Sequence, residues 1–404
     1  MNSQLRVALF TDSYLETNGV GTYCREYAAV AKQQGIPFFV AYGGTESRLR
    51  TEGSLTELEL RRGPASFGVD ADLRCDPCLT RHRDRAVAAL QEFRPNLIHI
   101  TGPGDVSILG MWAASLVGVP VVASWHTNVH DYAYRRLQSS LSFLPAGLRE
   151  SVSASAFRGT LWATMRFYSL AHFVAAPNKP MVDLLANRTH RPSFLIPHGV
   201  NTELFVPDRR NRTDSKFCIG YVGRLTPEKN VRYLAELEQR LVDSGAEDFR
   251  LLIVGEGSER EWLETHTQRA EFTGVLRGKT LATEFANMDA FVFPSLTDTF
   301  GLVILEAMAA GVPVVVSPET GARAGVVNGI SGFLSNDFAA SLMELMRCPE
   351  TRRRMGIEAR IHACDCTWTG VFDDLYRTFE EGLHSEEVLR RWPTPRFAPA
   401  NGTH

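Results

Sequence analysis

Residues 114–124 read Ala-Ser-Leu-Val-Gly-Val-Pro-Val-Val-Ala-Ser, and residues 307–317 read Ala-Met-Ala-Ala-Gly-Val-Pro-Val-Val-Val-Ser. The two stretches present the same signals in the same order. In each, a helix ends at a glycine, a Gly-Val-Pro turn follows, and a run of β-branched residues continues as a buried strand. The repeat therefore predicts two α/β units of similar construction within one chain.

Apolar runs typical of buried parallel strands alternate with segments of helical spacing along the whole chain. Strands are predicted at residues 5–10, 37–41, 97–100, 119–124, 217–222, 250–254, 271–273, 290–293 and 312–317. Alternation of strands and helices implies crossover connections and parallel sheets. We therefore expect an α/β fold with two doubly wound domains, residues 1–197 and 205–368, that face a central cleft. Ligands should bind at the carboxyl ends of the strands.

The composition excludes several classes of protein. The chain has 404 residues, of which 44% are hydrophobic and 22% are charged, and its net charge is −3. These values are ordinary for globular domains and exclude a disordered chain, a collagen-like fibre and a small disulfide-stapled scaffold. The near balance of charge also argues against wholesale binding to nucleic acid.

The cysteine pattern predicts no metal centre. Seven cysteines include only two clusters, Cys75-Asp-Pro-Cys78 and Cys364-Asp-Cys366. His82 offers a third ligand to the first cluster, but no fourth is evident, and zinc usually takes four. The N-terminus does not resemble a signal peptide, and Gly and Pro interrupt the uncharged stretch 106–125. We therefore expect a cytoplasmic protein with reduced thiols.

The segment 294–313 carries the strongest group of candidate ligand-binding residues, directly after the predicted strand 290–293. Gly301 and Leu302 open a helix, so their backbone N–H groups can meet an anion or sugar hydroxyls. Glu306 lies one turn further along an apolar helix, where its carboxylate needs donors such as a ribose diol. In the alternative interpretation Asp298 only caps the helix and Glu306 is exposed.

A second group, Gly223-Arg224-Leu-Thr-Pro-Glu-Lys229-Asn, follows the predicted strand 217–222. The planar fork of an arginine and the point charge of a lysine both suit a diphosphate. They stand at the expected start of a helix, where basic side chains oppose the helix dipole. This position favours ligand binding over a surface ion pair.

Two further candidates lie in the first domain. Gly19 and Gly21 suggest close approach of a ligand to the backbone, but Cys24 stands where a dinucleotide fingerprint needs its third glycine. We therefore expect no nicotinamide oxidoreductase. His126, in Ser-Trp-His-Thr-Asn, follows a predicted strand and should face the cleft, although a lone histidine is often structural.

Taken together, these motifs resemble the retaining glycosyltransferases of family 4, which have the GT-B fold. The resemblance covers nearly the whole chain. It extends to the interdomain segment 196–205, to the loops 254–257 and 272–276, and to Thr367-Trp368 with the helix at about 369–384 that crosses back to the first domain in this family.

The resemblance implies a role for each candidate. Arg224 and Lys229 would hold the donor diphosphate, with Asp298 and His126 as the other catalytic residues. The expected donor-binding residues are Gly19, Gly223, Val275, Leu276, Phe300, Gly301, Leu302 and Glu306. The family usually has Glu where this chain has Asp298, and this shorter side chain leaves the identity of the sugar open.

The mechanism implied is front-face attack with retention of configuration, in which the two cations replace a metal ion at the leaving diphosphate. We expect no cofactor and no dependence on a divalent metal. The donor would be a nucleotide-diphosphate sugar, with UDP favoured over GDP-mannose.

The acceptor is expected to be a lipid or another membrane-associated molecule, because the motifs resemble the branch that forms sulfoquinovosyl, mannosyl and glucosyl lipids. Basic and aromatic residues recur between 132 and 173, which is typical of a helix at an anionic membrane surface. The enzyme would then be peripheral at the inner face of the plasma membrane. The same pattern also fits a helix packed on its own domain. A transferase with a soluble or polysaccharide acceptor and a sugar-nucleotide epimerase remain alternatives.

Overall fold

The computed structural model describes residues 5–16, 18–68, 74–141, 143–385 and 388. The strands are, in chain order, β1 (Val7–Thr11), β2 (Phe38–Gly44), β3 (Arg48–Glu52), β4 (Leu55–Arg61), β5 (Phe67–Gly68), β6 (Arg74–Cys75), β7 (Leu97–Ile100), β8 (Val121–Ser124), β9 (Phe173–Ala176), β10 (Ser193–Leu195), β11 (Phe217–Val222), β12 (Phe249–Val254), β13 (Ala270–Gly274), β14 (Ala290–Phe293), β15 (Val314–Val316) and β16 (Gly332–Leu334).

The helices between these strands follow the predicted alternation. They are α1 (Gly19–Gln33), α2 (Arg83–Phe93), α3 (Asp105–Val117), α4 (Val129–Ser140), α5 (Ala146–Tyr168), α6 (Lys179–Thr189), α7 (Tyr233–Asp243), α8 (Arg260–His266), α9 (Gly278–Asn287), α10 (Leu302–Ala309), α11 (Phe338–Arg347), α12 (Pro349–Asp365) and α13 (Trp368–His384).

The chain divides into two compact units. The first contains residues 1–127, 162–197 and 371–404, and the second contains residues 128–161 and 198–370. Most of α13 therefore belongs to the first unit. Within that unit, Phe372 lies against Tyr27 and Phe379 lies against His99, with ring centroids 5.8 and 5.2 Å apart.

The first unit is built on a mainly parallel sheet. Among the described residues its strand order is β10-β9-β8-β7-β1-β2-β4-β3, and only β3 runs antiparallel to its neighbour. The hairpin of β3 and β4 extends the sheet beyond the strands predicted from the sequence. Its outer strand β3 is exposed along its whole length and alternates charge with Leu and Thr, which protects a sheet edge from pairing.

The second unit contains a parallel sheet of order β13-β12-β11-β14-β15-β16 within the described residues. Alternate residues of its strands enter two separate apolar clusters. Cys218 and Val222 belong to one, whereas Ile219 and Tyr221 belong to the other. Since side chains alternate across a strand, helices cover both faces of this sheet. The predicted doubly wound α/β class is confirmed.

The repeated Gly-Val-Pro stretches form the same local structure in both units. Gly118 and Gly311 end α3 and α10 with φ angles of 71° and 74°. The amide of the following valine then donates to the carbonyl five residues earlier, Val119 to Ala114 and Val312 to Ala307, at 3.1 and 3.0 Å. A left-handed glycine is the usual end of a helix, because other residues are strained there.

All seven cysteines lie in the described part of the chain as free thiols. Within that part, no group of three or more His, Cys, Asp or Glu side chains is placed to hold a metal ion. None of the helices formed by the described residues is both long enough and apolar enough to span a bilayer.

Candidate active site

In the second unit, the loops after β11 and β12 meet backbone to backbone. Gly223 and Gly255 adopt φ angles of 158° and 143°. A Cβ atom built on Gly255 would lie only 1.9 Å from the carbonyl oxygen of Gly223. The amide of Gly223 donates to the carbonyl of Val254 at 3.0 Å. Glycine is therefore required here to bring two strand ends into contact at the carboxyl edge of the sheet.

Arg224 follows Gly223 and is held by a buried acid. Its Nη2 lies 3.4 Å from Oε1 of Glu228, whose side chain is 2% exposed. That oxygen has no hydrogen-bond partner among the described residues. Glu228 lies in a short 3-10 turn, Pro227–Lys229, and α7 begins only at Tyr233. The expectation that Arg224 and Lys229 stand at the start of a helix was wrong, because this turn comes first.

Lys229 and Asp298 are brought together by the fold. Lys229 Nζ lies 2.5 Å from Asp298 Oδ1, and the side chains are 14% and 16% exposed. The second oxygen, Asp298 Oδ2, is buried and has no hydrogen-bond partner among the described residues. A buried carboxylate oxygen without a hydrogen-bond donor destabilises the protein, and a donor that reaches it removes this cost. A sugar hydroxyl is one such donor.

Hydrogen bonds join the loops that carry Lys229 and Asp298. Thr297 Oγ1 donates to the carbonyl of Glu228 at 3.0 Å, and Asn230 Nδ2 donates to the carbonyl of Pro294 at 3.2 Å. Asn128 Nδ2, just before α4, donates to the carbonyl of Thr297 at 3.1 Å. The loops after the adjacent strands β11 and β14 therefore form one supported surface.

Gly301 and Leu302 begin α10 as predicted. Gly301 has φ 74° and ψ 70°, and a Cβ there would lie 3.1 Å from the Cβ of Ala322. Phe300 stacks on His198, with ring centroids 4.2 Å apart and planes at 16°. Glu306, in the second turn, is partly buried and is not an isolated surface carboxylate.

The two residues expected beside the nucleotide base differ in exposure. Val275 and Leu276 follow β13, and Gly274 before them has φ 74°. Val275 is 53% exposed, whereas Leu276 packs against the apolar core of the second unit. A base lying on this loop would cover the apolar side chain of Val275.

In the first unit, Gly19 is the first residue of α1. Asn18 caps this helix, because its side-chain oxygen accepts from the amide of Gly21 at 2.8 Å. A Cβ on Gly21 would lie 2.5 Å from the carbonyl oxygen of Glu16. The loop after β1 is therefore folded tightly onto the helix that follows it.

His126 belongs to a buried chain of three polar side chains. Its Nε2 lies 2.7 Å from Ser124 Oγ, and the same oxygen lies 2.7 Å from Nε2 of His99. Tyr23 packs against the His126 ring with centroids 4.6 Å apart. Tyr168 donates to the carbonyl of Ser124 at 3.2 Å.

This chain links the tautomers of the two histidines. A serine hydroxyl carries one proton and can donate it to only one neighbour. If Ser124 donates to one Nε2, the other histidine must donate to Ser124 through its own Nε2–H. If Ser124 instead donates to the carbonyl of Ile100, which lies 3.3 Å from its Oγ, both histidines must donate through Nε2–H. Burial lowers the pKa of His126 to about 3, and burial together with His126 lowers the pKa of His99 to about 3. His126 is therefore neutral near pH 7.

An acidic pair lies at the same strand edge. Asp12, after β1, accepts from the amide of Val106 and from Ser107 Oγ, both at 2.8 Å. Burial and the neighbouring Asp105 raise the pKa of Asp12 to about 7. Asp105 also forms an ion pair with Arg62. This network joins the loop after β1 to the start of α3.

The fold places the expected residues in two groups, each on one unit. Gly19 and His126 lie on the first unit, and the other ten lie on the second. The sequence did not single out Glu228, Ser124, His99 or His198. Glu228 stands inside the quoted Arg224–Lys229 segment, and Ser124 is two residues before His126. His198 stands inside the interdomain segment 196–205, whereas His99 contacts Ser124 from 25 positions away in the chain and so left no local signal.

Both halves of the chain match known protein families. The family described as Glycosyltransferase Family 4 matches residues 17–204. The family described as Glycosyl transferases group 1 matches residues 216–348. The two matches together include every strand of the two large sheets except β1.

Relatives extend this similarity. A GDP-mannose-dependent alpha-mannosyltransferase of Mycolicibacterium smegmatis is 35% identical over 321 residues, which cover 74% of this chain and 77% of the relative. Relatives in Mycobacterium tuberculosis and Corynebacterium glutamicum carry the same name. An alpha-monoglucosyldiacylglycerol synthase of Streptococcus pneumoniae is 24% identical and covers 77% of this chain and 70% of its own length.

Among solved structures, the sucrose-phosphate synthase of Thermosynechococcus elongatus aligns with a TM-score of 0.70 at 19% identity. The alignment covers 93% of this chain and 98% of that protein. At this identity the likeness shows a shared fold, the GT-B fold. Because two family descriptions match it and the relative of Mycolicibacterium smegmatis is 35% identical, the chain belongs to glycosyltransferase family 4.

Proposed function

We propose that this enzyme transfers mannose from GDP-mannose, with retention of configuration, to a lipid or another membrane-associated acceptor. Membership of the family makes it a hexosyltransferase that uses a nucleotide sugar. The nucleotide, the stereochemistry and the acceptor are the proposed parts. The observation that carries the proposal is the pair of cations, Arg224 and Lys229, at the carboxyl edge of the second sheet.

GDP-mannose is preferred to a UDP sugar because of the relatives. The sequence motifs alone favoured UDP. Three relatives are named GDP-mannose-dependent, and that of Mycolicibacterium smegmatis is 35% identical to this chain. The structures of Anabaena HepE in complex with UDP are only 16–17% identical to this chain. At that distance they support the fold and not the choice of base.

Retention follows from the chemistry of the proposed donor and product. The sugar of GDP-mannose is α-linked, and the relatives are named alpha-mannosyltransferases. In the proposed step the bond from C1 to the diphosphate oxygen breaks, and a bond from C1 to the acceptor oxygen forms on the same face. The acceptor hydroxyl proton passes to the departing diphosphate.

Arg224 and Lys229 are proposed to stabilise the departing diphosphate. Both side chains are mostly buried, at 25% and 14% exposure, so their charges act in a medium that screens them less than water. The diphosphate would compete with Glu228 and Asp298 for them. Asp298 Oδ2 would accept a hydroxyl of the transferred sugar, and Glu306 would accept from the ribose.

His126 is proposed to contact the transferred sugar as a neutral hydrogen-bonding group. Its low pKa means that it does not carry a positive charge during the reaction. Ser124 and His99 would fix which of its nitrogens bears the proton. Gly19 is proposed to admit the donor close to the backbone at the start of α1.

A membrane-associated acceptor is supported by one face of α5. Leu148, Val152 and Trp162 are exposed apolar side chains on this helix, and Trp162 is 68% exposed. Arg158 and Arg166 are exposed on the same helix. Apolar residues flanked by arginines suit an anionic membrane surface. The pneumococcal relative is named as a diacylglycerol glycoside synthase. Ser142, in the expected stretch 132–173, lies outside the described residues.

The donor assignment is tested by thermal shift with GDP, UDP and ADP. A ligand at about 100 times its Kd stabilises the folded protein by roughly 2.7 kcal/mol. We expect GDP to raise the melting temperature of the wild type and not of Arg224→Ala, with Arg353→Ala, at an exposed arginine of α12, as a control on the same unit. A larger shift with UDP would overturn the choice of GDP-mannose.

The membrane assignment is tested by flotation with vesicles of phosphatidylglycerol or of phosphatidylcholine. We expect the wild type to float with the anionic vesicles only. Trp162→Ser should reduce flotation, whereas Ile361→Ser, at a similarly exposed apolar residue of α12, should not. Flotation that is independent of anionic lipid would contradict the membrane assignment.

A further inference from the structure

The first unit contains a basic cavity that the proposed reaction does not yet use. Its volume is about 460 Å3, and it lies at the carboxyl end of β4. The basic residues that line it are Arg61, Arg62, Arg81 and His82. None of the described residues in its lining is acidic.

Two of these arginines are fixed by acids behind them. Arg62 forms an ion pair with Asp105, and Arg81 Nη1 lies 2.8 Å from Asp76 Oδ2. The Arg62 side chain is only 8% exposed, and its Nη2 has no hydrogen-bond acceptor in the described part of the chain. Ordered arginines are better prepared for a ligand, since less side-chain entropy is lost on binding.

The remaining charge comes from Arg61. Its side chain is exposed and forms no ion pair with any described residue. Its carbonyl oxygen accepts from Arg81 Nη2 at 2.5 Å and contacts His82 Nε2 at 2.9 Å. These contacts fix the backbone beneath Arg61 and leave its guanidinium for a ligand. Arg85 adds another positive charge nearby, since it donates to the carbonyl of Ser47, which also lines the cavity.

The position of the cavity connects it to the substrate side of the sheet. β4 is parallel to β2, and β2 is parallel to β1. Their carboxyl ends therefore lie on the same edge, where open α/β sheets bind ligands. Arg62 and Asp105 also link the cavity to Asp12, which follows β1.

We infer that this cavity binds an anionic group of the acceptor, a phosphate or a chemically similar oxyanion. Arginine forks match the oxygens of such groups and bind them with charge-assisted hydrogen bonds. The inference rests on the proposed function, the transfer of a sugar to a lipid or another membrane-associated acceptor. It adds that the acceptor carries a negative charge near the hydroxyl that is glycosylated. Arg61 would then determine specificity for charged over neutral acceptors.

Binding of two probes to the full chain tests this inference. The probes are inorganic phosphate, measured by calorimetry at constant ionic strength, and vesicles containing phosphatidic acid, compared with pure phosphatidylcholine. Arg61→Gln should weaken anion binding about tenfold, the value for loss of one charge-assisted hydrogen bond. Arg61→Lys should restore part of it. Arg188→Gln, the same change at an exposed arginine of α6, should leave it unchanged.

The two probes distinguish the source of the anion. Arg61-dependent binding of phosphatidic acid vesicles alone indicates a lipid headgroup, and Arg61-dependent binding of free phosphate indicates a soluble group. Equal effects of Arg61→Gln and Arg188→Gln, or no anion binding by the wild type, would overturn the inference.

A parallel nucleotide titration separates this result from the proposed function. The thermal shift with GDP should be the same in the wild type and all three variants. If GDP raises the melting temperature normally but Arg61→Gln does not change anion binding, only the inference fails. The absence of any nucleotide shift in the wild type means that the proposed function itself fails.

Discussion

Lys229 Nζ lies 2.5 Å from Asp298 Oδ1, although the two residues are 69 positions apart in the chain. The pair joins the loop after β11 to the loop after β14. It couples the lysine expected at the donor diphosphate to the carboxylate expected at the transferred sugar. In the proposed donor complex, the hydrogen bonds of both residues would therefore change together.

Lys229→Ala should lower kcat about 100- to 1000-fold, the range for loss of one group that stabilises developing negative charge. The measurement is the initial rate of transfer at saturating donor. Lys279→Ala, at an exposed lysine of α9, is the matched control and should retain activity. A Lys229→Ala enzyme within threefold of the wild-type rate would exclude a role at the leaving group.

Removal of divalent metal should not change turnover, because in the proposed mechanism Arg224 and Lys229 supply the positive charge at the diphosphate. The test compares initial rates in excess chelator with rates in added Mg²⁺ or Mn²⁺. Rates within about twofold are expected. Loss of activity in chelator, restored by metal, would contradict this assignment.

Ser124→Ala should lower kcat about tenfold without changing the KM for donor, since it removes the hydroxyl that fixes the His126 tautomer. Nitrogen-15 NMR of the histidine side chains provides the direct readout. The His126 signals should move toward a mixture of tautomers. Ser115→Ala is the control, because Ser115 is exposed on α3 and its hydroxyl donates to the carbonyl of Trp112 in the same helix. An unchanged His126 spectrum would show that Ser124 does not set the tautomer.

Asp12→Asn should stabilise the protein increasingly as pH rises. The pKa of Asp12 is about 7 in the folded protein and near 3.8 in the unfolded chain, so the folded state binds the extra proton between these values. Its contribution to stability is complete below pH 4 and is lost as pH rises through 7. Between pH 5 and 8 the variant should gain on the order of 2–3 kcal/mol over the wild type.

Denaturant unfolding at both pH values measures this difference. The variant is compared with the wild type at each pH, because His99 and His126 also make the free energy of unfolding depend on pH, in the direction opposite to Asp12. Their pKa values are lowered to about 3, so they favour folding as pH rises toward 6.5. The exposed Asp84→Asn is the control. A pH-independent difference for Asp12→Asn would show that Asp12 has no raised pKa.

Gly255→Ala should destabilise the second unit by about 2–4 kcal/mol, because the new Cβ would overlap the carbonyl oxygen of Gly223. Gly245→Ala separates the clash from backbone strain. Gly245 also has a positive φ, 81°, but a Cβ there meets no atom within 4 Å, so we expect a loss of only about 1 kcal/mol. Equal losses at the two positions would mean that the loops after β11 and β12 can move apart.

The sequence predicted most of the second sheet and its loops. The strands 217–222 and 290–293 agree with β11 and β14 residue for residue. Their apolar, β-branched runs end abruptly at glycine or proline, and these signals are local. The hairpin of β3 and β4 was missed because β3 is exposed throughout and polar residues separate the buried leucines of β4.

The sequence by itself determined how α3 and α10 end, as the matching turns at Gly118 and Gly311 show. Those turns depend on neighbouring residues and on the freedom of glycine at positive φ. Only the tertiary structure decided that Lys229 meets Asp298, that Ser124 joins His99 to His126, and that Arg62 meets Asp105. Each of these contacts depends on the register and order of parallel strands, and pairing between strands distant in sequence leaves no local pattern.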